Sequence, residues 1–163
     1  MSAPTESGYI KLNAPITDIE TIPASITKSG TLTADATIQT KIYSDGGATP
    51  TCDFSVVKVG DYIYNAGEIR KVVANHTGND NNARIDIASA FTVRPVAQNF
   101  VYVPNKLYKK LIILNSGSGA LLINGVAYPV STIPITLEAD QGLEAIVLDA
   151  GTNFTTANVI EAW

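Results

Sequence analysis

The sequence predicts an all-β protein, on three observations. Short runs of β-branched and aromatic residues recur between turns containing Gly, Asn and Pro. No stretch sustains apolar residues at i, i+3, i+4 and i+7 for the three turns a free-standing helix needs. Asn124-Gly125 stands between two β-prone runs, the strongest short-range hairpin signal, because a type I′ turn needs positive φ at both central positions. The expected layout is an extended N-terminal arm over 1–40, a small β-barrel or sandwich half over 41–105, and a C-terminal antiparallel β-sandwich half over 106–163.

The arm is read from composition. Residues 2–40 are rich in Thr, Ser, Ala and Pro, with isolated Ile and Leu and no sustained alternation, so the segment cannot close a core of its own and is expected either to lie across another subunit or along its own domain, ordering as it binds, or to be a frayed terminus with one short strand. Asp45-Gly46-Gly47-Ala48-Thr49-Pro50 is a turn cluster. Strands follow it. Tyr62-Ile63-Tyr64 and Glu68-Ile69-Arg70-Lys71-Val72-Val73, separated by Asn65-Ala66-Gly67, read as a hairpin. A polar loop from His76 to Asn82 leads to Arg84-Ile85-Asp86-Ile87, which alternates as a strand with one wet face should. Asn99-Phe100-Val101-Tyr102-Val103 closes this half.

The second half restarts with Leu111-Ile112-Ile113-Leu114 and continues through Ala120-Leu121-Leu122-Ile123 into the Asn-Gly turn. The returning run, Val126-Ala127-Tyr128-Pro129-Val130, should be an edge, since Pro129 has no N–H for a ladder. Ile133 to Leu137 alternates and likewise reads as an edge strand, whereas Leu143 to Leu148 reads as central. The last six residues, ending in Trp163, read as a docked strand, because burial of an indole stabilises by about 2 kcal/mol.

Composition narrows the function. Charged residues are 16% of the chain against 45% hydrophobic, below the roughly 25% charged of a typical soluble domain, so part of the surface is expected to be covered by other subunits. No apolar run approaches the ~18 residues that cross a bilayer as a helix, and no membrane partner is expected. A net charge of −4 opposes nucleic-acid binding. The first residues lack a basic start and an apolar stretch, so Sec-type export is not expected. Cys52 is the sole cysteine, too few for a disulfide or a thiolate zinc site.

No catalytic constellation emerges. His76 is the only histidine and sits in a polar loop, where solvation is the simplest role. Asn115-Ser116-Gly117-Ser118-Gly119 superficially matches a nucleophile elbow, but an apolar β-like run follows where a helix should. Gly78-Asn79-Asp80-Asn81-Asn82, with Asp86 nearby, offers oxygen ligands without the spacing or terminal Glu of an EF-hand. Lys106, Lys109 and Lys110 around Tyr108 read as a solvated linker or charge-protected edge, or else as a contact for an acidic partner. No catalytic, cofactor or metal residues are assigned, and the chain is not expected to be an enzyme.

Val59-Gly60-Asp61-Tyr62-Ile63-Tyr64, then Gly67 to Val73, then Ile85-Asp86-Ile87-Ala88-Ser89-Ala90-Phe91 together resemble a pattern of small β-domains in structural proteins of tailed bacteriophages. The segment from Lys110 onward is similar in style to the small β-sandwiches that decorate phage capsids or form fibre and tail attachments. The resemblance implies a virion component and brings no active-site residues. The expected function is therefore a non-enzymatic virion structural protein, foremost a capsid decoration (cement) protein that stabilises the phage head. A tail, neck or head-fibre component is the alternative.

Expected partners are other copies of the chain, with three-fold capsid positions favouring a trimer, and the major capsid protein or other virion subunits. The expected location is the virion, assembled in the host cytoplasm. Candidate interface residues are Ile10, Leu12, Ile16, Ile19 and Ile22 on the arm, with Tyr62, Tyr64, Tyr108 and Trp163. A reading from another class, a carbohydrate- or cell-surface-binding module, would stack sugars on Tyr62, Tyr64, Tyr102 and Tyr108. Alternating aromatics on a hairpin more often pack across strands.

Overall fold

A computed structural model describes residues 9–16, 19–46, 49–77, 83–106, 108–115, 117–150 and 155–162. Among them the protein is all-β, its only helical element being a single 3-10 turn, Phe54–Val56. The chain divides into two compact units, at Glu20/Thr21 and again at Asn105/Lys106.

Two strands come first, β1 (Tyr9–Ile16) and β2 (Ile19–Ile22). The middle unit then holds β3 (Ile26–Ala34), β4 (Lys41–Ser44), β5 (Tyr62–Asn65), β6 (Glu68–His76), β7 (Arg84–Ile87) and β8 (Gln98–Val103). They form a closed barrel in the order β3-β4-β7-β6-β5-β8, β8 returning to β3, with every pairing antiparallel. Closure leaves no free edge.

Period-two burial sets the inward face. Ile42, Ile63, Val72, Ile85, Ile87 and Phe100 point into one core, while Arg84 and Asp86 alternate outward on β7. The β5–β6 turn is Ala66-Gly67, with φ of 48° and 82°, the positive pair that a two-residue type I′ connection demands. The segment before β5 adds Cys52, Phe54 and Val57 to the same core. There Phe54 meets Phe100 edge-on at 5.4 Å, and Phe100 stacks on Tyr102 at 5.9 Å. Asn75 fixes that segment, its side-chain amide donating to the carbonyls of Phe54 at 2.8 Å and Val57 at 2.7 Å.

The other unit contains β9 (Tyr108–Asn115), β10 (Leu121–Ile123), β11 (Val126–Tyr128), β12 (Ile135–Leu143), β13 (Ile146–Asp149) and β14 (Thr155–Ala162). One four-stranded sheet runs β1-β14-β9-β12 and a second runs β11-β10-β13-β2. Leu111, Ile113, Leu121, Ile123 and Ile146 to Leu148 are buried. Asn115, 2% exposed, donates its side-chain amide to the carbonyls of Gly119 at 2.9 Å and Tyr128 at 3.1 Å, tying the end of β9 to the β11 hairpin.

The largest departure from the sequence reading lies in residues 1–40. Of the segment read as an extended arm, residues 9–16 pair along their length with β14, residues 19–22 form a sheet edge, and residues 26–34 are a stave of the barrel. The physical reason is visible in β3, where only Leu32 and Ala34 are fully buried and the Thr and Ser residues face outward or sit at the bulge between Thr27 and Thr31. Residues 143–148, read as one central strand, are also divided. Leu143 ends β12 and Ile146 begins β13, which does lie inside its sheet.

Candidate assembly surface

Among the described residues no three His, Cys, Asp or Glu side chains converge as a metal site. His76 is exposed, with Nε2 3.1 Å from Asp86 Oδ2, while Arg84 Nε donates to Asp86 Oδ1 at 2.9 Å. Burial pushes the Asp86 carboxyl up, but the hydrogen bonds from Arg84 and His76 outweigh it and hold it below the usual carboxylate value. This is a surface ion-pair cluster on β6 and β7. The residues 78–82 considered for calcium lie outside the described residues, as does Ser116.

An open cavity of about 420 Å³ is lined by Pro50, Cys52, Asp53, Phe54, Ser55, Thr77 and Ala83. Its thiol is inert. Cys52 Sγ donates to the Thr31 carbonyl at 3.0 Å, and burial pushes its pKa up against the opposing hydrogen bonds of Ser44 and Thr51, the reverse of what an activated nucleophile needs.

The feature that stands out is instead a loop, residues 88–97, between β7 and β8. It has no regular structure, yet side chains from the barrel grip it along its length. Asn65, 6% exposed, donates to the Val93 carbonyl at 2.9 Å. Glu68 accepts from Thr92 twice, from the hydroxyl at 2.6 Å and the backbone N–H at 2.9 Å. Arg70 donates through Nε to the Ala90 carbonyl at 2.9 Å, pairs through Nη2 with Glu68 at 2.9 Å, and lies 5.3 Å over the Phe91 ring. Arg94 donates to the Ala34 carbonyl at 2.8 Å, the Ala34 N–H donates to Pro95 at 3.0 Å, and Ala97 N–H donates to Thr33 Oγ1 at 2.8 Å.

The grip has a direction. Phe91 and Pro95 are buried, whereas Val93 and Val96 are 63% and 49% exposed. The neighbouring turn between β3 and β4 presents Ile38, 47% exposed. That turn is fixed by Asp35 Oδ1, which accepts from the N–H groups of Thr37 at 2.8 Å and Ile38 at 2.6 Å. These two hydrogen bonds, with Lys41 and Arg94 adding smaller effects, hold the Asp35 carboxyl below its ordinary value. Three β-branched apolar side chains are thus held outward by polar bonds that fix the backbone beneath them. Such a surface loses little conformational entropy on docking.

The sequence-derived interface residues distribute differently. Tyr62 is 4% exposed and Tyr64 partly buried, so the Tyr62 ring offers nothing to a partner. Tyr102 belongs to the barrel core, which removes a second member of the aromatic set considered for sugar stacking. Ile10, Leu12 and Ile16 lie on β1 at the register positions of Glu161, Val159 and Thr155. Ile19 is partly buried, Ile22 ends β2 and Tyr108 begins β9. Trp163 lies outside the described residues. Lys110 pairs with Glu138 across β9 and β12, so β9 is an interior strand rather than a linker. Loop 88–97 was missed because its placement depends on Asn65, Glu68 and Arg70, 20 to 28 positions upstream of the residues whose backbone or hydroxyl they bond. The signal available in the sequence was the run Val93-Arg94-Pro95-Val96.

Comparison with protein-family profiles, with curated proteins and with solved structures finds no match.

Proposed function

We propose that this chain is a non-enzymatic virion structural protein, foremost a capsid decoration protein that binds the phage head through subunit contacts and stabilises it. The observation that carries the assembly part is the gripped loop 88–97, which displays Val93 and Val96, while the β3–β4 turn displays Ile38, on a barrel otherwise closed to edge pairing. Burial of apolar area there against a partner is favourable by roughly 25 cal/mol per Å². The virion part rests on the resemblance carried by Val59 to Tyr64 and Ile85 to Phe91. On this reading the two four-stranded sheets of the other unit are the faces of a sandwich, and the major capsid protein is the partner of the barrel loop.

The test is co-sedimentation of the purified chain with heads of the phage that encodes it, assembled without it. Saturable binding is expected, weakened at least ~10-fold in the double variant Val93→Asp/Val96→Asp, because burying an unpaired carboxylate opposes docking. Both positions are exposed, so the melting temperature should stay within a few degrees. Binding to isolated tails and not to heads would move the protein to the tail, neck or fibre. Binding to neither would defeat the proposal.

A further inference from the structure

We infer that β11 is a self-pairing edge, through which two copies of the chain join antiparallel across a two-fold axis centred on Ala127. The inference rests on the self-assembly part of the reading above and supplies its surface.

A chain of net charge −4 repels its own copies, so an isologous contact belongs where charge is absent. The four sheet edges outside the barrel are β1, β12, β11 and β2. The first carries Lys11, the second Glu138 and Asp140, and the last Glu20. Only β11 carries none, and residues 111–137 contain no Asp, Glu, Lys or Arg at all. Charge is the usual guard on an exposed edge, and here it is missing.

Backbone geometry then fixes the register. The pairs are Ile123↔Val126, Leu122↔Ala127 and Leu121↔Tyr128 around Asn124-Gly125, whose φ values are 50° and 81°. In a two-residue hairpin the pair flanking the turn exchanges hydrogen bonds, and bonding alternates from there. Val126 and Tyr128 therefore bond inward to β10, while the N–H and C=O of Ala127 point away from the sheet. The next outward residue, Pro129, has no N–H. The edge thus offers one complete donor–acceptor pair, and Ala127 opposite Ala127 of a second copy satisfies both groups reciprocally.

The side chains agree. Val126 is 58% exposed, Val130 48% and Ile133 74%, a run of exposed apolar residues within eight positions, and pairing would bring copies of this run together. Pro129 ends the ladder and a two-fold consumes the edge on both copies, so association closes at a dimer rather than growing into a fibre or forming the trimer suggested by capsid symmetry.

The experiment is the mass of the full chain by light scattering and sedimentation velocity, for wild type, Val126→Glu and Ile133→Glu, with thermal melting to verify folding. A wild-type dimer is expected. Each variant, folded, should dimerise at least ~10-fold more weakly. Oxidised Ala127→Cys should form a disulfide-linked dimer and Thr132→Cys should not, since only position 127 meets itself on the axis. A wild-type monomer or trimer, a dimer indifferent to both charges, or equal cross-linking of the two cysteine variants would each overturn the inference. Head binding by monomeric Val126→Glu would leave the capsid reading standing, and its loss from Val93→Asp/Val96→Asp alone would leave the dimer standing.

Discussion

Asp61 supplies the sharpest test of how the barrel is held. Its carboxylate is 7% exposed and joins two segments far apart in sequence, Oδ2 accepting the Lys58 N–H at 2.8 Å and Oδ1 the Asn105 N–H at 2.8 Å. The backbone around it is equally engaged. Gly60 turns with φ 101° and donates to the Val72 carbonyl at 2.9 Å, and the Val72 N–H returns to the Asp61 carbonyl at 2.7 Å. Asp61→Asn keeps the shape but replaces one acceptor with an amide NH₂ that faces a backbone donor. A hydrogen bond to a charged group contributes about 1.5–3 kcal/mol, so losing one and weakening the other should destabilise by about 2–3 kcal/mol. For a unit of roughly 60–100 residues, each kcal/mol moves the melting temperature by about 4–8 °C. The barrel transition, followed by circular dichroism, should therefore fall by at least about 8 °C. Asp61→Ala, which strands both donors, should fall further. An Asp61→Asn melt within about 2 °C of wild type, or an alanine variant milder than the asparagine one, would refute the two-segment clamp.

Two other perturbations follow from the same contacts. Gly30 has φ 99°, and a Cβ there would lie well inside contact distance of the Thr51 carbonyl. Gly30→Ala should cost at least ~3 kcal/mol, seen as a lowered urea midpoint, and an unchanged midpoint would contradict the β3 path described above. Burial pushes the Glu68 carboxyl up, but the hydrogen bonds from Thr92, with Arg70 nearby, outweigh it and hold the carboxyl below the usual glutamate value. A carboxylate lowered by folding stabilises fully above its unfolded value and loses that contribution as pH falls through the folded one. Stability should therefore decline as pH falls from the ordinary glutamate range through the lowered folded value, and Glu68→Gln should flatten that decline; an identical acid profile for the variant would argue against the grip on loop 88–97.

Parts of this were legible in the sequence because their cause is local. Gly67 and Asn124-Gly125 announce positive φ in residue type, and both hairpins form there, with Ala66 taking φ 48° as its turn demands rather than as its residue type prefers. Pro129 marked the β11 edge, and the alternation of residues 133–137 marked β12, which is also an edge. The local turn around Asp61 was legible from Gly60, but the clamp it makes was not, since one of the two donors to Asp61 is Asn105, 44 positions away. The same holds for Phe91, whose cation neighbour Arg70 lies on β6. Long-range partners decide the candidate surface, and a single sequence does not show them.

Residues 1–40 carry this furthest. If they were an arm, removing them would leave a folded barrel and weaken only assembly. In the structure Leu32 and Ala34 are fully buried, and β3 bonds to both β4 and β8. Deleting residues 1–40 therefore opens the ring, exposes two strand edges and removes two core side chains, of which a buried Leu alone contributes about 2–5 kcal/mol. That approaches the whole stability of a small unit, about 5 kcal/mol at the lower end. A chain lacking 1–40 should lack a cooperative barrel transition. A chain lacking only 1–20 keeps every barrel strand and should retain that transition, while losing the β1–β14 pairing of the other unit. Were both truncations to melt alike, β3 would be no stave of the barrel, and the reading of a detachable arm would have to return.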